Sequence, residues 1–187
     1  MDISKIAGDL FQVLDSFFQK KETLLEKLVV RVCESLEAGG KILIFGNGGS
    51  AAQAQHFAAE VVNKFLLERE SLPAISLTTD TSILTSLAND ISFDLVFSRQ
   101  IEALAGKGDV ALGLSTSGES KNVMVAFQAA NKKDMITVAL TGESGGRVGP
   151  LADFLLNVPS THTPRIQEVH LVLLHILAEE IERRLFS

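Results

Sequence analysis

The sequence predicts an α/β protein built on a doubly wound, five-stranded parallel sheet in three layers, with a helical extension at its N-terminus. Five short apolar runs are separated by segments of helical character, which is typical of strands that are buried on both faces and joined by crossover helices. The chain has 187 residues and no internal repeat or flexible linker. We therefore expect one domain over residues 1–187.

The first forty residues carry apolar side chains at helical spacing, from Ile6 to Leu36. This spacing predicts one broken helix or two, roughly 3–19 and 21–38, ended by Gly39 and Gly40. The apolar face is wider than a helical hairpin would bury. We therefore expect residues 1–40 to pack on a partner subunit as well as on the α/β core at 41–187.

The five predicted strands follow in order. They are the runs 41–46, 74–77, 109–114, 135–140 and 153–158. A final helix is predicted over about 163–185, and its charged stretch 179–184 is interpreted as a solvated face. Right-handed crossovers bring the loops after the strands to one edge of the sheet, where ligands bind in this architecture.

The composition limits the classes of partner. The net charge is −6, and Trp and Tyr are absent, which argues against a nucleic-acid surface. No run of about 18 apolar residues is present, so no membrane span is expected. The single cysteine, Cys33, and the lack of a secretory signal in Met1–Lys5 predict a cytoplasmic protein.

Two loops after predicted strands are suited to an anion. The loop after the first strand reads GNGGSAA over 46–52, and Asn47 or Ser50 is expected to cap the helix that follows. The loop after the third strand, STSGES at 115–120, offers four hydroxyl groups at a helix start, which suits a phosphate monoester. A tight turn and a serine-rich capping turn remain the alternatives. The first loop does not match a dinucleotide or P-loop motif, so no nucleotide cofactor is expected.

These motifs carry a family resemblance. GNGGSAA, STSGES, LTG at 140–142 and TPRIQEVH at 163–170 resemble the SIS (sugar isomerase) domain. The segments AQHFAAE at 54–60, LTTDTS at 77–82, AND at 88–90 and FSRQIEALA at 97–105, together with His175, are similar to the phosphoheptose isomerases within that family.

The resemblance implies a flavodoxin-like SIS fold, a homotetramer with active sites between subunits, and the isomerisation of sedoheptulose 7-phosphate to glycero-manno-heptose 7-phosphate. Glu60 and His175 would be the catalytic acid–base pair. The residues implied to bind substrate are Asn47, Gly48, Gly49, Glu60, Asn89, Asp90, Ser115, Thr116, Ser117, Ser120 and Gln167. One zinc ion per subunit would be held by His56, Glu60, Gln167 and His175.

The spacing of these residues adds two expectations. His56 and Glu60 are four residues apart, so they share one helix face, as paired metal ligands do and as many surface pairs also do. Gln167 and His175 lie eight residues apart, or about 12 Å along a helix. We therefore hypothesise that Gln167 and His175 reach a given site from different subunits.

Lys64, Glu119 and the loop 160–162, where acidic residues are frequent, depart from the family pattern, and one alternative function remains. Lys64 stands where arginine is usual, which removes a bidentate contact. Glu119 stands where asparagine is frequent, and its carboxylate must point away from a bound phosphate. The alternative is a non-enzymatic SIS protein that binds the replication initiator as a tetramer. That branch lacks the counterparts of Glu60 and His175, which this chain has.

Overall fold

Five strands form one sheet in the computed structural model, which describes residues 3–187. They are β1 (Ile42–Gly46), β2 (Ala74–Ser76), β3 (Val110–Ser115), β4 (Ile136–Thr141) and β5 (Phe154–Asn157). All pairings are parallel and the strand order is β2-β1-β3-β4-β5. Each predicted strand is confirmed to within one residue at either end, and so is the fold class.

The strand order fixes where a ligand can bind. From β1 the chain moves outward to β2 and then returns to β3 on the other side of β1. The loops after β1 and β3 therefore leave the sheet in opposite directions and open a crevice at its carboxyl edge. Both of the anion-type loops predicted from the sequence start at this crevice.

Helices cover both faces of the sheet. They are α1 (Ile3–Glu37), α2 (Gly49–Val62), α3 (Thr81–Asp90), α4 (Ser98–Leu104), α5 (Lys121–Lys132) and α6 (Thr163–Phe186), with short 3-10 helices at Phe93–Leu95 and Gly149–Leu151. Ile42 and Ile44 of β1 pack with α1, α2 and α6, whereas Leu43 and Phe45 pack with α4 and α5. Successive side chains of β1 point to opposite faces of the sheet, and all of them are buried. Helices therefore cover both faces, which gives three layers.

The predicted break in the N-terminal helix is wrong. α1 is a single helix of 35 residues, about 50 Å long. Residues 19–22 interrupt the apolar pattern, but Gln, Lys and Glu are good helix formers, and the stretch contains no proline or glycine. The predicted end is confirmed, because Gly39 adopts a left-handed φ of +84°. Met1 and Asp2 of the predicted extension lie outside the described residues.

The two ends of α1 differ in burial. Phe17, Leu25 and Leu28 lie in the core, whereas Ile3 and Phe11 are 74% and 71% exposed. No helix within residues 3–187 has the length and hydropathy needed to cross a membrane.

The charged end of α6 also differs from the expectation of a solvated face. Ile181 and Glu182 are each 1% exposed, so one side of this stretch is part of the interior.

Candidate active site and metal centre

Two histidines and a carboxylate meet between α2 and α6. His56 Nε2 lies 2.9 Å from Glu60 Oε1 and 3.0 Å from His175 Nε2, and His175 Nε2 lies 3.5 Å from the same carboxylate oxygen. His56 and Glu60 are adjacent because they are one helical turn apart on α2, and α6 brings in His175 from 119 residues away. The structure thus brings together three of the four residues implied as metal ligands.

The geometry of this cluster fits a divalent metal ion. Ligand atoms about 2.0 Å from a tetrahedral zinc ion lie about 3.3 Å from one another, which is within the spread of the three distances above. Two imidazole nitrogens and a carboxylate oxygen are also a usual zinc donor set. The second oxygen of Glu60, Oε2, is buried and has no hydrogen-bond partner among the described residues, so this carboxylate has an oxygen that could bind a cation or a substrate proton.

Gln167 lies apart from this cluster, at the other end of α2. A Cβ atom at Gly49 would lie 2.7 Å from Gln167 Nε2, so the missing side chain of Gly49 leaves the space that the Gln167 amide fills. Gln53 on the next turn of α2 donates from Nε2 to the Gln167 carbonyl oxygen at 2.7 Å. Gly49 and His56 are separated by seven residues, which is about 10 Å along the helix. Within one chain, Gln167 is therefore two turns away from His175 and its cluster.

The hydroxyl loop, Ser115–Ser120, follows β3 at the crevice. Ser115 donates a hydrogen bond to Ser120 Oγ at 3.0 Å, and Ser117 Oγ accepts one from the Glu119 N–H at 3.1 Å. Ser120 is the residue before α5, yet its side chain makes no hydrogen bond to the helix. A cavity of about 360 Å³ beside Thr116 and Ser117 is also bordered by three further residues that carry hydroxyl groups, Ser144, Ser160 and Thr161.

Backbone contacts hold the hydroxyl loop against the loop after β4. Gly142 N–H donates to the Thr116 carbonyl oxygen and Val148 N–H to that of Gly118, both at 3.0 Å. Gly118 has a φ of +69°, and a Cβ there would lie 2.3 Å from the Gly145 carbonyl oxygen. Only glycine fits this position, because both the torsion and the space exclude a side chain.

The glycine loop after β1 is tied by a pair of amides to the first turn of α5, directly after the hydroxyl loop. Asn47 Nδ2 donates to Asn122 Oδ1 at 2.9 Å, and Asn122 Nδ2 donates to Asn47 Oδ1 at 2.8 Å. The expected cap by Asn47 or Ser50 is wrong: α2 begins after Gly48 without a side-chain cap, and Ser50 is inside the helix. The side chain of Asn47 is engaged by Asn122 instead.

The sequence analysis missed Asn122. It is 3% exposed and lies in the first turn of α5. A buried asparagine at a helix start is a weak signal, because asparagine is common there for capping alone.

Asn89 and Asp90 lie in the last turn of α3 and are exposed. Asn89 Nδ2 donates to Asp90 Oδ1 at 2.8 Å. No hydrogen bond within residues 3–187 joins Asn89 or Asp90 to the metal-type cluster or to either loop. Their implied contact with the sugar stays a prediction.

Two of the departures from the family pattern have local partners. Lys64 forms an ion pair with Glu68, four residues further along the chain. Glu119 Oε1 accepts a hydrogen bond from the Arg147 N–H at 3.1 Å. This carboxylate is therefore turned towards the loop after β4.

Arg69 and Glu182 were also missed, and they pack beside the cluster. Arg69 Nε lies 2.9 Å from Glu182 Oε1, and both side chains are 2% exposed. Burial alone would raise the pKa of Glu182, but hydrogen bonds from the N–H groups of Phe65, Leu66 and Leu67 and from Arg69 lower that pKa below its ordinary value. Neither residue has a sequence signal, since each lies in a run of charged residues.

Comparison with known proteins gives a consistent result. The SIS domain family model matches residues 8–142. A phosphoheptose isomerase from Desulfovibrio desulfuricans is 48% identical over 185 residues, which is 99% of this chain and 88% of the relative. One from Helicobacter pylori strain P12 is 51% identical over 172 residues, which is 92% of this chain and 90% of the relative.

The solved structures agree with the sequence relatives. A phosphoheptose isomerase from Neisseria gonorrhoeae superposes with a TM-score of 0.92 at 41% identity, and the match covers 97% of each chain. This protein belongs to the phosphoheptose isomerase family of SIS-domain proteins.

Proposed function

We propose that this protein is an aldose–ketose isomerase that converts D-sedoheptulose 7-phosphate to D-glycero-D-manno-heptose 7-phosphate. The product would be the first intermediate towards nucleotide-activated heptose for bacterial envelope polysaccharide. The observation that carries the proposal is the meeting of His56, Glu60 and His175. Relatives named phosphoheptose isomerase match nearly the whole of this chain, in sequence and in fold.

The chemistry requires a proton to move between two adjacent carbons. A base removes the proton from the carbon next to the carbonyl group, an enediol forms, and a proton returns at the neighbouring carbon. We assign Glu60 as the base and His175 as its acid partner. Glu60 is suited to this because only Oε1 faces the histidines, which leaves Oε2 without a partner.

The substrate phosphate is proposed to bind the hydroxyl loop through Ser115, Thr116, Ser117 and Ser120. Hydroxyl donors and the N-terminus of α5 favour a dianion without a fixed positive charge. The sugar is proposed to contact Asn47, Gly48, Gly49, Asn89, Asp90 and Gln167. The amide pair between Asn47 and Asn122 supports this division, since it keeps the sugar and phosphate loops in register.

A zinc ion is proposed at His56, Glu60 and His175, with Gln167 as the fourth ligand. When bound, zinc supplies a positive charge that stabilises a developing oxyanion. Because Gln167 lies two turns from its own chain's His175, we propose that the glutamine at each site comes from a neighbouring subunit.

A homotetramer is the proposed assembly, with no nucleic-acid or membrane partner and a cytoplasmic location. The domain division proposed from the sequence is kept, with residues 1–40 serving oligomerisation and 41–187 forming the catalytic core. The exposed apolar side chains Ile3, Ile6 and Phe11 on the first half of α1 support this role.

The test is turnover of sedoheptulose 7-phosphate by purified protein, first stripped of metal and then supplied with zinc. We expect activity to be lost on stripping and to return with zinc. Activity that is indifferent to a chelator would keep the isomerase and remove the zinc. A folded tetramer that is inactive in both states would contradict the proposed function, and binding to the replication initiator would then be assayed.

A further inference from the structure

A single buried carboxylate organises the segment that follows α2. Glu182 is on α6, seven residues beyond His175, which is about two helical turns. Its Oε1 accepts a hydrogen bond from the Phe65 N–H at 2.6 Å, and its Oε2 accepts from the N–H groups of Leu66 and Leu67 at 2.7 and 2.9 Å. Three successive backbone donors thus surround one anion, as in an anion-binding nest.

Arg69 connects this carboxylate to the end of α2. Its Nε donates to Glu182 Oε1 at 2.9 Å, while Nη2 donates to the Glu60 carbonyl oxygen at 3.0 Å. Nη1 donates to the carbonyl oxygens of Asn63 and Glu70 at 3.4 and 2.9 Å. The guanidinium group therefore holds the main chain of Glu60, whose side chain belongs to the metal-type cluster.

The same segment also contacts the cluster through Phe65. The Phe65 ring lies 5.5 Å from the His175 ring, with an angle of 31° between their planes. Metal-binding histidines are usually oriented by a hydrogen bond from their second ring nitrogen. Within residues 3–187, no protein group makes such a bond to His175 Nδ1. The Phe65 ring is thus an aromatic neighbour that limits rotation of this imidazole.

Fold stability alone does not explain why Arg69 and Glu182 form a buried ion pair. Burying two charges carries a desolvation cost, and a well-packed apolar pair often stabilises a fold as much or more. An apolar side chain cannot, however, orient three backbone N–H groups and a carbonyl oxygen at once. That orientation fixes Phe65 and the main chain of Glu60 in place at the cluster.

We propose that Arg69 and Glu182 form a positioning pair for the active site. The pair holds segment 63–70 so that Phe65 orients the His175 imidazole and Glu60 stays within reach of both histidines. The inference rests on the proposed isomerase function for its kinetic readout only. Its metal-binding and spectroscopic readouts are independent of turnover.

Three variants test the proposal. Glu182→Gln removes the charge and one acceptor from the pair, and Phe65→Leu removes the aromatic ring while leaving the pair intact. Glu180→Gln is the matched control, because Glu180 is also an α6 carboxylate paired with an arginine, Arg183, on the more exposed side of the helix.

Zinc affinity is measured by competition with a chromogenic chelator, and kcat and KM are measured on the zinc-loaded proteins. We expect Glu182→Gln and Phe65→Leu to bind zinc about 10- to 100-fold more weakly. We also expect kcat to fall more than KM changes, because the pair contacts no implied substrate-binding side chain. Glu180→Gln should match the unchanged protein in both measurements.

A third measurement needs neither zinc nor turnover. Side-chain ¹H–¹⁵N spectra of the metal-free protein report the environment of each imidazole. Glu182→Gln should move the His175 signals, because the Phe65 ring is released, while those of His162 stay in place. If Glu182→Gln does not fold, Phe65→Leu still tests the ring contact through zinc affinity.

Two results would overturn the proposal. One is a folded Glu182→Gln protein with unchanged His175 signals, and the other is a Phe65→Leu protein with unchanged zinc affinity and kcat. If the unchanged protein turns over no sedoheptulose 7-phosphate, the proposed function fails alone. The spectra and the zinc affinities would then decide the positioning role.

Discussion

The hydroxyl loop and the histidine–carboxylate cluster are built in opposite ways. The loop comes from six consecutive residues, and backbone hydrogen bonds to the loop after β4 hold it in place. The cluster joins residues 119 apart, and its ring and carboxylate atoms contact one another and the Phe65 ring through side chains. Because of this difference, single substitutions should act differently in the two regions. In the loop they should weaken binding, and in the cluster they should reduce turnover.

The largest expected effect is on the cluster. Glu60→Gln keeps the shape of the side chain but removes the proposed base, so kcat should fall by about 100-fold or more. The melting temperature and the oligomeric state should change little. Steady-state kinetics with sedoheptulose 7-phosphate measures the loss.

Glu102→Gln is the control for that experiment, since Glu102 is an exposed carboxylate that pairs with Arg99 on α4. It should retain full activity. Wild-type turnover by Glu60→Gln would remove Glu60 from the mechanism.

A tetramer assembled from two variants tests whether the cluster of one subunit is completed by Gln167 of another. Gln167→Ala and His175→Ala should each lower turnover by about tenfold or more alone. Co-expressed, the two variants should form tetramers in which some sites combine an intact Gln167 with an intact His175 from another chain. Turnover should then rise well above that of either variant.

Mixing the two purified homotetramers without subunit exchange is the control, and it should give no rise. If co-expressed tetramers stay as inactive as the separate variants, both residues serve a site from the same chain.

The sequence predicted what depends on neighbours along the chain. All five strands were predicted because runs such as 41–46 have an apolar centre, here residues 42–45, and are bounded by glycine or polar residues. The hydroxyl loop was recognisable because its residues are consecutive. The break near residue 20 was wrong because a polar stretch interrupts the apolar pattern without interrupting the helix.

What depends on distant contacts could not be predicted. His56, Glu60 and His175 were identified through family motifs, since the spacing of His56 and Glu60 also occurs on ordinary surface helices. Arg69 and Glu182 meet only because α6 packs beside the end of α2. In the sequence, Glu182 is one of three glutamates in a charged stretch, and nothing there distinguishes it from its exposed neighbour Glu179.

A smaller effect is expected for the amide pair that joins the two loops. Asn122→Ala leaves the Asn47 side chain without its partner, so the glycine loop loses its register with the hydroxyl loop. KM for the sugar phosphate should rise about tenfold, the cost of roughly one buried hydrogen-bond pair, while kcat changes less. In isothermal titration calorimetry, the affinity for inorganic phosphate should fall less than the affinity for the substrate.

Asn131→Ala is the matched control for Asn122→Ala. Asn131 is on the same helix, and its amide donates only to the Leu151 carbonyl oxygen, far along α5 from the loops. It should leave KM unchanged. A tenfold fall in kcat at constant KM in Asn122→Ala would contradict the division between a binding loop and a catalytic cluster.

The smallest effect concerns His170, a histidine that belongs to neither region. It is fully buried on α6, and its Nε2 lies 3.1 Å from the Thr141 carbonyl oxygen. Burial lowers its pKa from the ordinary 6.5 to about 4, although the hydrogen bond to Thr141 opposes that shift. Between these values the unfolded chain binds a proton that the folded chain does not, so stability falls as the pH drops from about 6.5 towards 4.

By pH 5.5 this difference costs about 1 kcal/mol of unfolding free energy relative to pH 7.5. His170→Gln has no proton to bind, so it should lose about that much less stability over the same range, whatever its stability at pH 7.5. Urea unfolding at the two pH values measures the difference, with His162→Gln, an exposed histidine outside the core, as the control. Equal losses in His170→Gln and in the unchanged protein would mean that His170 is already protonated in the folded state at pH 5.5.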